Sequence, residues 1–487
     1  MKLNKIAVAV ATACMAMPAL ATNGMNMEGY GPVATSMGGA SVAYDNGTAG
    51  VINNPATLGM MASGTSRFDI AIGGLHPDVA SQGTDSNATS FFMPAIGYVR
   101  KDGAIAWGAG MMAQGGMGTK YDNAGAFGSP LIGMNFATGQ GYGITDPGFQ
   151  NKSEVGVGRV IFPVSYSVNK DFNIGGSIDY VWAGMDIRWL IDGVHFGSMM
   201  MPGGKLGWID GSMKDGFMAA AQQGLFSSLD WGYFDFNTDS TFSQKAKSRG
   251  WAANLGFTYA VSPRLTIGGV YHAKTDLSDM TTNNTAMGSF SVSGGMMGAG
   301  AVIPIEGKVT IKDFQWPETF GLGMSYKLTD QMTLVADYKR VNWANVMKNF
   351  NMVFVANSTQ SNPMAQGFAG STMNVTYYQN WDDQDVYMIG GSYAPGGPMT
   401  FRAGINYASN PIPDDFVSPL FPAITKLHIT GGVGYALSNR ASLDFSLVYV
   451  PKVEVTNSWA TAVGGAGSNQ KISMSQLNWQ AMYSLRF

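Results

Sequence analysis

Chemistry requires nucleophiles, bases or ligands at workable spacings, and this 487-residue chain offers few of them. Its four histidines, His76, His195, His272 and His428, stand far apart, and Cys14 is the only cysteine. No HExxH, GxSxG or GxxxxGKS/T stretch occurs, so metal, thiol and nucleotide chemistry find no support, and we assign no catalytic residue, metal ligand or cofactor. A phospholipase built on a membrane barrel would need Ser and His facing outward on adjacent strands near a rim. His272 and His428 fall on the inward phase of their segments, so no enzyme is expected. With 29 Lys+Arg against 32 Asp+Glu, the net charge of -3 provides no basic field for nucleic acid.

The elements that would position such residues have an unusual composition. Charged residues make up 13%, against about 25% in a soluble protein. The first 21 residues read as a secretory signal: Lys2 and Lys5, then an apolar stretch from Ile6 to Met17, then Ala19-Leu20-Ala21 before a cut at Thr22. A lipoprotein cut at Cys14 is the alternative. Downstream there is no apolar run of about 18 residues, and period-two alternation takes its place. In the last segment Leu477, Trp479, Ala481, Tyr483, Leu485 and Phe487 share one face, opposite Asn478, Gln480, Ser484 and Arg486 with Met482. Such a strand puts one side in hydrocarbon and the other in a polar interior.

Short polar turns at 101–103, 169–171, 262–264, 329–331, 395–398 and 438–440 join alternating segments into hairpins. Long Gly-, Asn- and Met-rich stretches lie between them at about 118–150, 191–249, 277–305, 347–378, 410–425 and 454–473. That alternation of connections predicts an all-β, antiparallel transmembrane barrel of about fourteen strands over 61–487, with short periplasmic turns and long outer loops. Asp179, Lys274, Lys327, Asp337, Arg402, His428, Asp444 and Arg486 occupy the polar phase and should face the lumen, pairing across it or meeting a ligand.

Residues 22–60 do not read as a strand. Their small, turn-rich pieces are suited to compact packing inside a cavity. Met37-Gly38-Gly39-Ala40-Ser41-Val42-Ala43-Tyr44-Asp45 followed by Asn54-Pro55-Ala56 resembles the N-terminal plug of the outer-membrane long-chain fatty acid transporters, the FadL family, which includes importers of aromatic hydrocarbons. Gln315-Trp316-Pro317-Glu318-Thr319-Phe320-Gly321 with Trp343, and Phe401-Arg402-Ala403-Gly404-Ile405-Asn406-Tyr407 with Asn410-Pro411, are similar to later stretches of that family. The resemblance implies a monomeric fourteen-stranded barrel closed by a plug, in which Gly38, Gly39, Asn54, Pro55 and Ala56 take part. It also implies a ligand route from an outer groove to a pocket against the plug, then sideways through a gap at a kinked third strand. Here that strand runs from Ala104 to about Met117, and Gly108 and Gly110 are the candidate kink.

Phe217, Ala221, Leu225 and Leu229 recur every four residues with Phe226 beside them, which predicts an amphipathic helix in the 191–249 loop. Together with Phe290, Met296 and Met297 of the 277–305 loop it would either pack or form the outer groove. Arg188, Lys308 and Arg402 are the candidate partners of a carboxylate. The expected function is passive import of hydrophobic molecules, foremost long-chain fatty acids, with aromatic or alkane hydrocarbons as the alternative. A general diffusion porin is the rival class. Expected partners are the ligand, outer-membrane lipid, and the barrel assembly machinery acting on the strand that ends in Phe487.

Overall fold

Alternation in the sequence becomes alternation in exposure. On Lys471–Arg486, Leu477 and Tyr483 face out, while Asn478, Gln480, Met482 and Ser484 are buried. The computed structural model describes residues 23–123, 131–236, 246–459 and 469–487, so the signal expected at 1–21 lies outside the described residues.

One ring of strands closes on itself. It runs through β1 (Thr65–Leu75), β2 (Phe91–Asp102), β3 (Ile105–Tyr121), β4 (Asn151–Ser167), β5 (Phe172–Asp192), β6 (Ala246–Ala260) and β7 (Leu265–His272). It continues through β8 (Thr319–Lys327), β9 (Met332–Val341), β10 (Gln384–Tyr393), β11 (Met399–Ala408), β12 (Leu427–Ala436), β13 (Ala441–Thr456) and β14 (Lys471–Arg486). Each pairs antiparallel with the next, and β14 pairs back onto β1 along Arg67 to Gly74. The fold is therefore an all-β, closed antiparallel barrel. Closure leaves no strand without a partner on either side, the condition for crossing hydrocarbon with strands. Among the described residues no helix is long and apolar enough to cross a membrane.

Among the described residues the sheet holds 26 strands, which corrects the expected total of about fourteen. The surplus lies mainly in stretches read as loops. Ser228–Asp235, Ala286–Ser293, Ala301–Lys312, Asn349–Ala356 and Thr372–Tyr378 pair into an extension beyond the long-loop end. These stretches carry alternation of their own: Ile303, Ile305, Val309 and Ile311 form one buried face. A long excursion with an apolar face folds onto itself, because leaving that face in water would forfeit about 25 cal/mol per Å².

The outer face of the ring is apolar. Leu255, Leu322 and Ile389 are 65%, 61% and 67% exposed, a surface suited to lipid. Inward, Asp179, Asp337, His428 and Asp444 are buried, and Arg159–Asp179 and Arg402–Asp444 pair at 2.8 Å. Arg486 and Lys327 are exposed at the short-turn end, and Lys274, just past the end of β7, is exposed too, which corrects the expectation that they lie inside the lumen.

Candidate functional site

The N-terminal segment lies inside the ring and touches strands on all sides of it. Its 3-10 turn Pro55–Met60 starts where the Asn54 side chain accepts the Ala56 backbone N–H at 3.1 Å. The same side chain donates to the carbonyls of Val42 and Phe257, tying the segment to itself and to β6. Pro55 and Ala56 pack on Gly175 of β5, where a Cβ would come within 2.6 Å of their backbone. Gly38 and Gly39 have φ of 75° and 86°, the left-handed region that glycine enters without strain. A Cβ on Gly39 would meet the Glu28 carbonyl. The Gly38 N–H donates to Thr430 of β12 at 2.9 Å, and its carbonyl accepts from Asn406 of β11 at 3.1 Å. All five motif residues thus come together against the wall.

Carboxylates fix the segment further. Asp337 Oδ2 on β9 accepts the backbone N–H groups of Ser41 and Val42, and Asp69 of β1 accepts that of Thr48. Asp45 is clasped on both oxygens by the Arg67 guanidinium. Burial alone would push the Asp45 carboxyl up; the Arg67 charge and hydrogen bonds, with the Gly47 N–H, hold it below the ordinary carboxylate range.

Two apolar cavities flank the beginning of this segment. The first, toward the long-loop end, is lined by Met25, Trp189, Phe314, Met347, Tyr377 and Phe421 among others. The described lining includes no charged side chain, and burial pushes the Tyr377 phenol well above its ordinary value, keeping it neutral. The second is lined by Met27, Tyr30, Ala49, Ala95, Met112 and Gln480. Burial raises the Tyr30 phenol too, and it donates to the Gln114 carbonyl at 2.7 Å. Free space in the two is only about 30 and 40 Å³, against about 150 Å³ in a cavity that admits benzene. A ligand must therefore displace side chains, and unbranched methionine is suited to yield.

Met25 and Met27 separate the cavities. Between them Asn26 forms a bridge with Gly115 of β3, the Gly116 N–H donates to the Met25 carbonyl at 3.1 Å, and Trp316 Nε1 donates to Asn26 Oδ1 at 2.8 Å. A Cβ on Gly115 would meet that Met25 carbonyl, so glycine permits the close approach. Trp316, Trp343 and Trp381 pack edge to face behind it with centroids 5.6 and 5.2 Å apart.

The wall is broken at this height. Pairing of β2 with β3 stops at Ala95/Met112, although β2 goes on pairing with β1 to Phe91. Pro94 on the open side has no N–H to donate. On its other edge β3 shifts register against β4 between Ala113 and Gly115. This places the register shift beyond the expected kink: Gly108 and Gly110 pair in register with Val99 and Gly97 of β2, although the pairing with β4 skips Gly108 and Ala109, and Gly110 makes room for Val51.

The outer-groove candidates do meet, but as a packed core. Phe217, Phe226, Leu229 and Phe290 are at most 3% exposed, and the Phe217 ring lies 4.8 Å from Phe290 and 6.3 Å from Phe226. The helix spans Ser212–Gln222 rather than continuing to Leu229. Gly224, at φ 74°, ends it: its N–H bonds the Ala221 carbonyl and that of Leu225 bonds Ala220, a Schellman stop. A second helix, Gly193–Met200, lies earlier in the same loop and was not expected. Leu229 belongs to the strand Ser228–Asp235. Met296 and Met297 bond the Gly224 and Leu225 carbonyls, so the two loops are joined; Leu225 and Met297 are half-buried, and Met296 is 74% exposed.

The three cation candidates are apart from the cavities. Arg188 bonds Asp235 and Gln150, each at 3.3 Å. Lys308 lies on the face of its strand opposite Val309 and Ile311. Arg402 pairs with Asp444 near the short turns. Sequence reading missed the cavity lining; the usable signal was Trp316 and Trp343, which stand out as motif residues.

The description "Outer membrane protein transport protein (OMPP1/FadL/TodX)" matches residues 7–484. A long-chain fatty acid transport protein of Escherichia coli O6:H1 is 24% identical over 469 residues, which cover 92% of this chain and 91% of that protein. An uncharacterized protein from the 5′ region of a phosphoenolpyruvate carboxykinase gene in Chlorobium limicola is 55% identical over 74 residues, but this spans 15% of the chain and 36% of that relative. Among solved structures, the P. putida toluene transporter TodX is similar with TM-score 0.76 at 25% identity, covering 94% of this chain and 99% of its own. The Ralstonia pickettii toluene transporter TbuX gives TM-score 0.70 at 29% identity, with the same coverage.

Proposed function

Because this chain belongs to the OMPP1/FadL/TodX family of outer-membrane transport proteins, we propose that it imports uncharged hydrophobic molecules passively, with monoaromatic hydrocarbons as the substrate class. The first cavity supports this reading: it is rich in aromatic rings and methionine, and its described lining holds no cation to meet a carboxylate. TodX and TbuX are toluene transporters. The ring β1 to β14 is the membrane wall, and residues 22–60 are the plug. A ligand enters at the long-loop end, occupies the cavity beside Met25, passes the Met25–Met27 partition, and leaves through the unpaired stretch between β2 and β3. Burial of apolar surface, about 25 cal/mol per Å², drives capture, and the gradient drives passage. Export uses a signal cut before Thr22, insertion uses the barrel assembly machinery at the strand ending in Phe487, and the lipid-embedded protein acts as a monomer.

Long-chain fatty acid import is the second reading, favoured by the Escherichia coli relative. It requires a cation near the cavity. Arg188, next to the lining residue Trp189, would have to exchange Asp235 for the ligand carboxylate. Uptake of labelled toluene and oleate by cells producing the parent or Arg188→Met separates the two. The aromatic reading expects toluene uptake that Arg188→Met leaves unchanged; oleate entry lost in that variant, with no toluene entry, would overturn it. Ready passage of small sugars through the parent would return the porin.

A further inference from the structure

A ring pair at the long-loop end has no part in the route described above. His195 lies in the helix Gly193–Met200, which Asp192 caps: one carboxylate oxygen accepts the His195 backbone N–H at 2.9 Å, and the other meets its Nδ1 at 2.7 Å. An ionised carboxylate only accepts hydrogen bonds, so Nδ1 carries a proton, and whenever the ring is neutral its Nε2 presents a lone pair. That Nε2 is buried and has no partner among the described residues. Trp459 packs on the imidazole with centroids 6.1 Å apart and planes inclined at 56°. It is 6% exposed, and its Nε1–H is likewise without a partner among the described residues. The same indole meets Tyr377 edge-on at 6.0 Å, and Tyr377 lines the first cavity. One unsatisfied donor and one unsatisfied acceptor therefore sit a single ring beyond the apolar cavity, and buried polar groups left in that state call for a partner.

We propose that His195 and Trp459 form a hydroxyl-recognition subsite at the outer end of the cavity, selecting otherwise apolar ligands such as phenols. This rests on the hydrophobic-import reading and names a finer ligand class within it. One hydroxyl satisfies both groups: its oxygen accepts the Trp459 Nε1–H, and its proton goes to the His195 Nε2 lone pair. A plain hydrocarbon satisfies neither, and a carboxylate has no proton for Nε2. Asp192 is a positioning residue, since it sets the tautomer on which the acceptor depends.

Titration calorimetry on the full-length detergent-solubilised protein at pH 8, with p-cresol and toluene as probes, tests this. The parent should bind p-cresol about tenfold more tightly than toluene, the scale of a recovered hydrogen-bond pair. Trp459→Phe and His195→Phe should reduce that preference to about twofold or less and leave toluene affinity unchanged, which also reports an intact fold. Asp192→Asn retains a capping oxygen but can donate to Nδ1, moving the proton to Nε2; the hydroxyl then keeps donors for its oxygen and loses the acceptor for its own proton, so the p-cresol preference should fall below that of the parent while toluene affinity stays unchanged. Equal binding of both probes by the parent would overturn the subsite and leave the import reading standing. Preference retained in the ring variants, or equal loss of both probes in them, would reduce the pair to packing and overturn the subsite. Binding of neither probe by the parent would overturn both readings.

Discussion

Asp337 provides a quantitative test of whether the segment inside the ring closes it. Its Oδ2 accepts the Ser41 and Val42 N–H groups at 2.6 and 2.9 Å, and the residue is 7% exposed. Gly323 on β8 makes room for it, since a Cβ there would lie 2.0 Å from Asp337 Oδ1. In Asp337→Ala both N–H groups lose their acceptor at about 1–3 kcal/mol each, or roughly 2–6 kcal/mol together, less where water enters the space. At the low end, about 2 kcal/mol reduces the ratio of docked to undocked segment about 30-fold. Asp337→Asn keeps an acceptor oxygen in place and should stay within about threefold of the parent. The wall should survive either change, because its strands satisfy their own backbone hydrogen bonds. Single-channel recording in planar bilayers reads the difference: open events should rise about 30-fold or more in Asp337→Ala. Silence in that variant, when deletion of Gly24 to Met60 conducts, would remove Asp337 from the anchoring. Silence in the deletion as well would refute the plug.

Tags inserted at Asp102 and Asn439, in short turns, should be hidden on intact cells, while tags near Ser212 and Asn283 should be labelled; the reverse would invert the orientation. Phe226→Ala, at a position 1% exposed, should cost about 3–5 kcal/mol of local packing. Limited proteolysis should then cut within 193–236 or 277–305 while the ring resists. Intact outer loops with reduced ligand capture would restore the groove reading. The Asp45–Arg67 pair makes a prediction about acid. Asp45 is held below its ordinary value, so its stabilising contribution is complete above about pH 4 and is lost as pH falls through the lowered value. The Asp45–Arg67 pair should therefore hold unchanged from about pH 7 to pH 5. In Arg67→Met, burial of Asp45 is opposed only by the Gly47 N–H and the Arg486 charge, so opening should begin at a higher pH than in the parent. An identical pH profile for the two would show that the pair does not hold the segment.

The wall was legible because its signal is local: Leu477 and Asn478 declare opposite faces within two positions, and the pattern repeats from strand to strand. Gly38, Gly39 and Asn54 were legible for another reason. Their backbone geometry and the Asn54 cap admit few residue types, so motif and structure coincide. The Phe217 series misled because its spacing of four continues through Leu225 to Leu229, across the Gly224 stop that the sequence also displays. Gly108 and Gly110 misled because β3 is glycine-rich along its length, and only pairing shows that the register shifts at Ala113/Gly115. The cavity could not be read at all. Met25, Trp189, Phe314, Met347, Tyr377 and Phe421 come from separate segments spread from residue 25 to residue 421, and each alone is indistinguishable from loop filler. The same lining explains why substrate is harder to read than fold. An apolar space of about 30 Å³ bordered by methionines has little shape of its own until a ligand makes one, and methylene-level fit discriminates by only about 1–3 kcal/mol. Polar groups without partners discriminate more sharply, so selectivity in this protein should reside at the edges of the cavity, where His195 and Trp459 stand, rather than in its apolar floor.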